Sequence, residues 1–277
     1  MAYKTILVHA DLSIHAPARI RFAAALARSE GAHLIGVATT GVSRFMYPDG
    51  AAPLAHTVAS SYAATLHGHA RDALDQFTAI AAAENLPSYE PRLVADDPEG
   101  ALVLLSRYAD LAVLSQSDPA HQVAGAVREL PEYVVLNVAR PVLLLPYAGS
   151  FTPVGGHALV AWDGSLEAAR ALGDALPLLC RASAVTVAQF QKGEPDDVAA
   201  HASDLTAWLG RHGIDAAVRP QPVDIDDGNA LLSLVADLQA GLVVMGAYGH
   251  TRFRELLLGG VTKTMLECMT APVLMAH

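Results

Sequence analysis

Short apolar runs recur along this chain in the same order. "KTILVHADLS" near the start and "HALVAWDGS" at 157–165 each lead from an apolar stretch into an acidic turn, so that Asp11 corresponds to Asp163. "ADLAVLSQSD" (109–118) resembles "AGLVVMGAYG" (240–249), and "ARPVLLLPY" (139–147) resembles "TAPVLMAH" (270–277). Ser115 and Pro141 are 26 positions apart, and so are Gly246 and Pro272. The identical spacing marks two tandem copies, 1–148 and 153–277, joined by the Gly/Pro/Ser-rich stretch "YAGSFTPVGG" at 147–156.

Each copy alternates apolar strands with amphipathic helices. In the second, "ALVAW" is followed by "SLEAARALGDALPLLCRA", with alanine and leucine at helical spacing, and then by the β-branched run "AVTVAQF". A helix around "DVAAHASDLTAWLGRHG", a strand at "DAAVRPQPV", a helix at "NALLSLVADLQA" and the strands "GLVVMG" and "APVLMAH" complete it. Apolar strands alternating with helices predict an α/β fold, a doubly wound parallel sheet with helices on both faces. Such sheets bind ligands beyond the carboxyl ends of their strands. The first copy has the same order with an insertion, placed at 39–62 ("TTGVSRFMYPDGAAPLAHTVASSY") and expected to be an extended loop.

With 277 residues, 52% of them hydrophobic, the chain can bury a substantial core. A net charge of -10 argues against nucleic acid or an anionic membrane as a partner held by bulk charge. Cys180 and Cys268 lie far apart with no metal-ligand spacing, as expected of packed thiols in a reducing compartment. "MAYKTILVHADLS" lacks the apolar core of a signal peptide, and no apolar run reaches the ~18 residues of a bilayer span. The expectation is a cytoplasmic protein with no membrane span.

The stretch richest in chemistry is "GAYGHTRFRELLLGGVTK", 246–263. Gly246 and Gly249 fall at the carboxyl end of a buried strand, and Gly259 and Gly260 precede "VTKTMLECM", where Val261, Met265 and Met269 recur at helical spacing. Glycines ahead of a helix expose unpaired N–H groups and a positive dipole end, which suits phosphate. Tight turns alone would also call for glycine.

The pattern G-x2-G-x9-G, here Gly246, Gly249 and Gly259, after "LVVMG" and ahead of a terminal "APVL", resembles the ATP-binding type of the universal stress protein family. The resemblance extends over essentially the whole chain as a tandem two-domain member. It implies two five-stranded parallel sheets of Rossmann-like build and ATP as ligand, with Mg as its accompanying ion. Carried onto this sequence, Asp163, led into by Ala161 and Trp162, takes the acidic role toward adenosine, and Phe190 lies against adenine. Met245 and Gly246 flank the ribose, and Gly249, Gly259, Gly260 and Val261 surround the phosphates. The family usually has Ser or Thr after the third glycine, where this chain has Gly260. A lost hydroxyl contact to phosphate costs about 1.5–3 kcal/mol. Thr262 is a substitute donor by sequence, although its side chain should point elsewhere on the helix. His250, Arg252 and Arg254 are further candidates for phosphate contact, weighed against a solvated loop.

In the first copy, Gly246, Gly249, Gly259 and Gly260 align with Ser115, Asp118, Arg128 and Glu129. Two carboxylates replace glycines where phosphate would rest, which is unfavourable for an anion. Arg128 could pair with Asp118, and the surviving Asp11 is by itself more often a turn or helix cap than a ligand contact. His67 and His69 in "LHGHA" are a poor chelate on a helix unless it breaks at Gly68. No metal site is expected, and Ser165 fits a helix cap better than a nucleophile.

Three functions are consistent with these residues: an ATP-binding regulatory protein of stress response, a slow ATPase or nucleotidyl transferase, and a nucleotide-free interaction or chaperone-like module. Hydrolysis needs a positioned base, and nothing near the glycine loop supplies a convincing pair, so binding ranks above turnover. The terminal strands of the copies are expected to pair as a pseudo-dimer within the chain, with a homodimer as a further assembly.

Overall fold

The computed structural model describes residues 2–41, 53–121, 130–153, 155–190, 195–221, 227–248 and 260–277. The chain divides into two compact units, Ala2–Arg140 and Pro141–His277.

The N-terminal unit runs β1 (Thr5–His9), α1 (Ala16–Glu30), β2 (His33–Thr39), α2 (Pro53–Ala83), β3 (Tyr89–Val94), α3 (Pro98–Ser106), β4 (Leu111–Ser115) and α4 (Leu130–Asn137). Its strands lie in the order β3-β2-β1-β4, all parallel. Ile6, Leu7 and Val8 of β1 and Leu111, Ala112 and Val113 of β4 are fully buried, which is why these strands read as apolar runs without alternation. The expected loop at 39–62 is in part helix, because α2 already starts at Pro53. Proline is favoured at a first helical turn, and the alanine-rich sequence behind it has high helix propensity, which outweighed the Gly/Pro signals just upstream. The rest of the insertion, 42–52, lies outside the described residues. The same helix runs unbroken through Gly68, so His67 and His69 stay two residues apart on one helix.

Gly36 in β2 lets α2 approach the sheet closely. A Cβ on Gly36 would sit 2.5 Å from the ring of Phe77, itself fully buried. Gly36→Val should therefore destabilise the unit by about 1–3 kcal/mol, since a core ring has nowhere to withdraw. An unchanged urea midpoint would contradict this packing.

The C-terminal unit begins with β5 (Val142–Leu145) and continues β6 (His157–Trp162), α5 (Leu166–Asp174), α6 (Leu176–Leu179), β7 (Ala184–Gln189), α7 (Pro195–Arg211), β8 (Ala216–Pro220), α8 (Asp227–Asp237), β9 (Ala240–Gly246), α9 (Val261–Cys268) and β10 (Val273–Ala276). The strand order is β5-β10-β9-β6-β7-β8. All neighbours are parallel except β5, which runs antiparallel to β10 with Leu144 opposite Val273. The alanine-rich segment after β6 is two helices rather than one: Ala175 ends α5 and caps α6, because Pro177 has no N–H to continue the ladder. Among the described residues no helix is long and apolar enough to cross a membrane.

Candidate functional site

In the C-terminal unit the chain leaves β6 toward β7 and β8 on one side, whereas β9 and β10 lie on the other. The strand order therefore switches between β6 and β9, and a crevice is expected beyond their carboxyl ends. Ala161 and Trp162, both half-buried, close β6, and the exposed Asp163 follows. The Asp163 carboxylate accepts the Ser165 N–H at 2.9 Å, and Ser165 caps α5 by accepting the Ala168 N–H at 3.1 Å. Phe190, half-buried just past β7, donates its N–H to the Trp162 carbonyl at 2.7 Å, which holds the ends of β6 and β7 together.

Met245 is buried at the end of β9, and Gly246 follows it. A Cβ at Gly246 would lie 2.6 Å from the backbone nitrogen of Ala168, so only glycine lets β9 end against the first turn of α5. Gly260 is the N-cap of α9, with no side-chain capping bond, and Val261 opens the helix. The Thr262 hydroxyl oxygen accepts the Tyr248 N–H at 3.2 Å, and Thr262 is only 2% exposed. Its side chain thus ties the two ends of the glycine segment together. Gly249, His250, Arg252, Arg254 and Gly259 lie outside the described residues.

Two residues at this edge were missed by sequence reasoning. Tyr248 takes a left-handed backbone, φ 58°, and its ring meets that of His277 edge-on at 6.3 Å. His277 Nδ1 lies 2.9 Å from the Ala247 carbonyl, and Arg170 donates to the His277 carbonyl. Nothing in their spacing signalled this, because the parts meet only when β9 and β10 pair.

The equivalent edge of the N-terminal unit is built differently. Arg19, 2% exposed, donates from Nε to the His9 carbonyl at 2.8 Å and from Nη1 to the Ser115 hydroxyl at 2.8 Å, and its Nη2 lies 3.0 Å from Asp11 Oδ1. Aligned on Asp11 and Asp163, Arg19 falls at Ala171; aligned on Pro141 and Pro272, Ser115 falls at Gly246. The guanidinium therefore occupies a carboxylate whose counterpart Asp163 bonds only its own turn among the described hydrogen bonds. Burial would raise the pKa of Asp11, but Arg19, the nearby His9 and two bonds from Ser13 outweigh it and hold the carboxyl well below the usual range. His9 is buried, and its pKa is lowered to about 4, chiefly by loss of solvent, with the Arg19 charge adding and Asp11 opposing. It is neutral near pH 7, so its 3.5 Å approach to Asp11 is not an ion pair there.

Asp118 has partners other than an arginine in the described structure. Its Oδ2 is 2.7 Å from His15 Nε2 and 2.9 Å from His121 Nδ1, and its Oδ1 accepts the Ala120 N–H at 2.8 Å. The Ala120 N–H, against some loss of solvent and with help from both histidines, holds its pKa at about 2. Arg128 and Glu129 lie outside the described residues.

The model of the Universal stress protein family matches residues 156–277. That stretch is a universal stress protein family domain. Its span takes in the switch between β6 and β9 and the whole glycine segment. The chain is similar in fold to a universal stress protein from Archaeoglobus fulgidus DSM 4304, with a TM-score of 0.72, 15% identity, and coverage of 98% of this chain and 95% of that one. A putative universal stress protein from Pseudomonas aeruginosa UCBPP-PA14 gives a TM-score of 0.55 at 16% identity, covering 99% and 93%. The universal stress protein from Archaeoglobus fulgidus in complex with dAMP is 20% identical over 53% of this chain and 98% of its own, with a TM-score of 0.37. No curated protein matches the sequence. The likeness to the first two shows the fold, an α/β build with a mostly parallel sheet and helices.

Proposed function

We propose that the universal stress protein domain binds ATP at the carboxyl edge of β6 and β9 and that the chain is a regulatory nucleotide-binding protein of stress response. The observation that carries this is the closure of the glycine segment. Tyr248 bonds Thr262 across its two ends, and Gly260 starts α9 with no side chain competing for the first N–H groups of the helix. A segment anchored this way returns to a helix N-terminus, where backbone donors and the dipole favour an anion. On this reading Asp163 takes the acidic role toward adenosine, with Ala161 and Trp162 leading into it, Phe190 lies against adenine, Met245 and Gly246 flank the ribose, and Gly249, Gly259, Gly260 and Val261 surround the phosphates and their Mg. Thr262 serves by holding the segment rather than by touching phosphate, and His250 and Arg252 face the triphosphate from the segment itself. Residues 1–148 are then a universal stress protein-like domain whose nucleotide loop has degenerated. A pseudo-dimer within the chain, with a homodimer as a further assembly, belongs to the same reading.

Trp162 is half-buried beside Asp163, so nucleotide should change its emission and raise the melting temperature. At a hundredfold excess over Kd the stabilisation is about 2.7 kcal/mol. Gly249→Glu should remove both responses while leaving the circular dichroism spectrum intact. A variant that still binds ATP like the parent would place the ligand elsewhere, and ADP accumulating in incubated samples would favour turnover over a regulatory role.

A further inference from the structure

We propose that His15, Asp118 and His121 form a site for a divalent transition metal such as zinc, cobalt or nickel, in the N-terminal unit and independent of the ATP reading. One ligand atom from each residue lies within 4.8 Å of the others, in a set of two imidazole nitrogens and one carboxylate oxygen. This donor set suits borderline divalent ions, whereas magnesium and calcium prefer oxygen throughout.

The fold brings the three together. β1 and β4 are adjacent parallel strands, and His15 and Asp118 follow their carboxyl ends. His15 is fixed as the N-cap of α1, and a turn carries His121 back over Asp118. Both rings address the same carboxylate oxygen, Oδ2, at 2.7 and 2.9 Å, and stand nearly perpendicular at 85° with centroids 6.2 Å apart. The other oxygen is held by the Ala120 N–H, the kind of outer contact that orients a ligating carboxylate. Metal–ligand bonds of about 2.0–2.2 Å put tetrahedral donors roughly 3.4 Å apart, so an ion enters once these donors separate by roughly half an ångström.

Exposure favours a cation with an exchangeable position. The Asp118 side chain is 7% exposed and that of His15 17%, whereas His121 is 57% exposed and leaves a path from solvent. Three protein ligands with one face open leave room for a water as fourth ligand. In the metal-free protein the carboxylate accepts from His15 Nε2–H and His121 Nδ1–H. When an ion binds, the proton on each of these nitrogens is given up, to the other ring nitrogen or to solvent, and the freed lone pair goes to the metal. Asp118 stands where the second copy has Gly249. The same strand edge that is built for an anion in one copy carries a cation ligand set in the other.

The test uses the full chain, stripped with a chelator and titrated with Co2+, read by visible absorption and calorimetry, with Zn2+ as competitor. One Co2+ per chain, giving bands of a low-symmetry site and displaced by Zn2+, is expected. His121→Ala, at an exposed position that should leave folding unchanged, and His15→Ala should each weaken binding at least tenfold, whereas His67→Ala/His69→Ala should bind like the parent. No saturable Co2+ binding, or undiminished binding in the folded His15→Ala/His121→Ala variant, would overturn the proposal.

Discussion

Calorimetry or equilibrium dialysis with ATP should return one nucleotide per chain, although the sequence carries two copies of the fold. In the N-terminal copy Asp118 stands at the position of Gly249, and a triphosphate there would face a nearly buried carboxylate. Like charges at close range repel, and a triphosphate brings several of them, so binding there is strongly disfavoured. The structure adds a second obstacle. Asp11 already faces the buried Arg19 guanidinium at 3.0 Å, so a ribose would have to displace that ion pair to reach it. Drawing Asp11 away would leave the buried guanidinium without its counter-charge. The measurement is best made on metal-free protein, because an ion on Asp118 would reverse the local charge. Two equivalent sites per chain would refute the charge argument, and Gly249→Glu should lower the count from one to zero.

The second large effect is an acid sensitivity centred on His9. Burial lowers its pKa to about 4 from an ordinary value of 6.5, so the unfolded chain takes up this proton at a pH where the folded chain does not. Stability is therefore complete above pH 6.5 and falls as the pH drops toward 4, by up to about 3 kcal/mol in total. Asp11 acts in a separate window. Its depressed pKa adds stability above the usual carboxylate range, and that contribution disappears only in stronger acid. His9→Gln removes the titrating group, so between pH 7 and pH 4.5 the parent should lose roughly 2–3 kcal/mol more than the variant in urea denaturation. Equal losses in the two proteins would show that His9 is not the acid-labile group.

Much of the fold was legible because parallel strands buried on both faces leave uninterrupted apolar runs. "TILVH", "LAVLS", "VLLL" and "VLMA" are all strands, and the repeat spacing placed them in order. The capping role of Ser165 was also legible, since it depends on a local pattern. What escaped depends on distant residues meeting. Arg19 and Ser115, or His15 and Asp118, come together only because β1 and β4 are neighbours in the sheet. An arginine in a helix of otherwise ordinary composition carries no mark that it will be buried on an aspartate. Thr262 shows the intermediate case: helical periodicity turned it away from the proposed phosphate position, but only the folded chain shows that its hydroxyl takes the Tyr248 N–H.

The antiparallel match of Leu144 with Val273 also bears on the order in which the protein assembles. Val142–Leu145 are at most 4% exposed in the finished unit, yet their partner strand is separated from them by nearly the whole of that unit. Closing so long a loop adds little to the equilibrium cost, since each doubling of length costs only about 0.6 kcal/mol, but contacts this distant in sequence form slowly. Until β10 arrives, a four-residue apolar edge stays open to any other strand. The interval between making β5 and completing β10 is thus the period in which a nascent or refolding chain is most exposed to pairing with the wrong molecule.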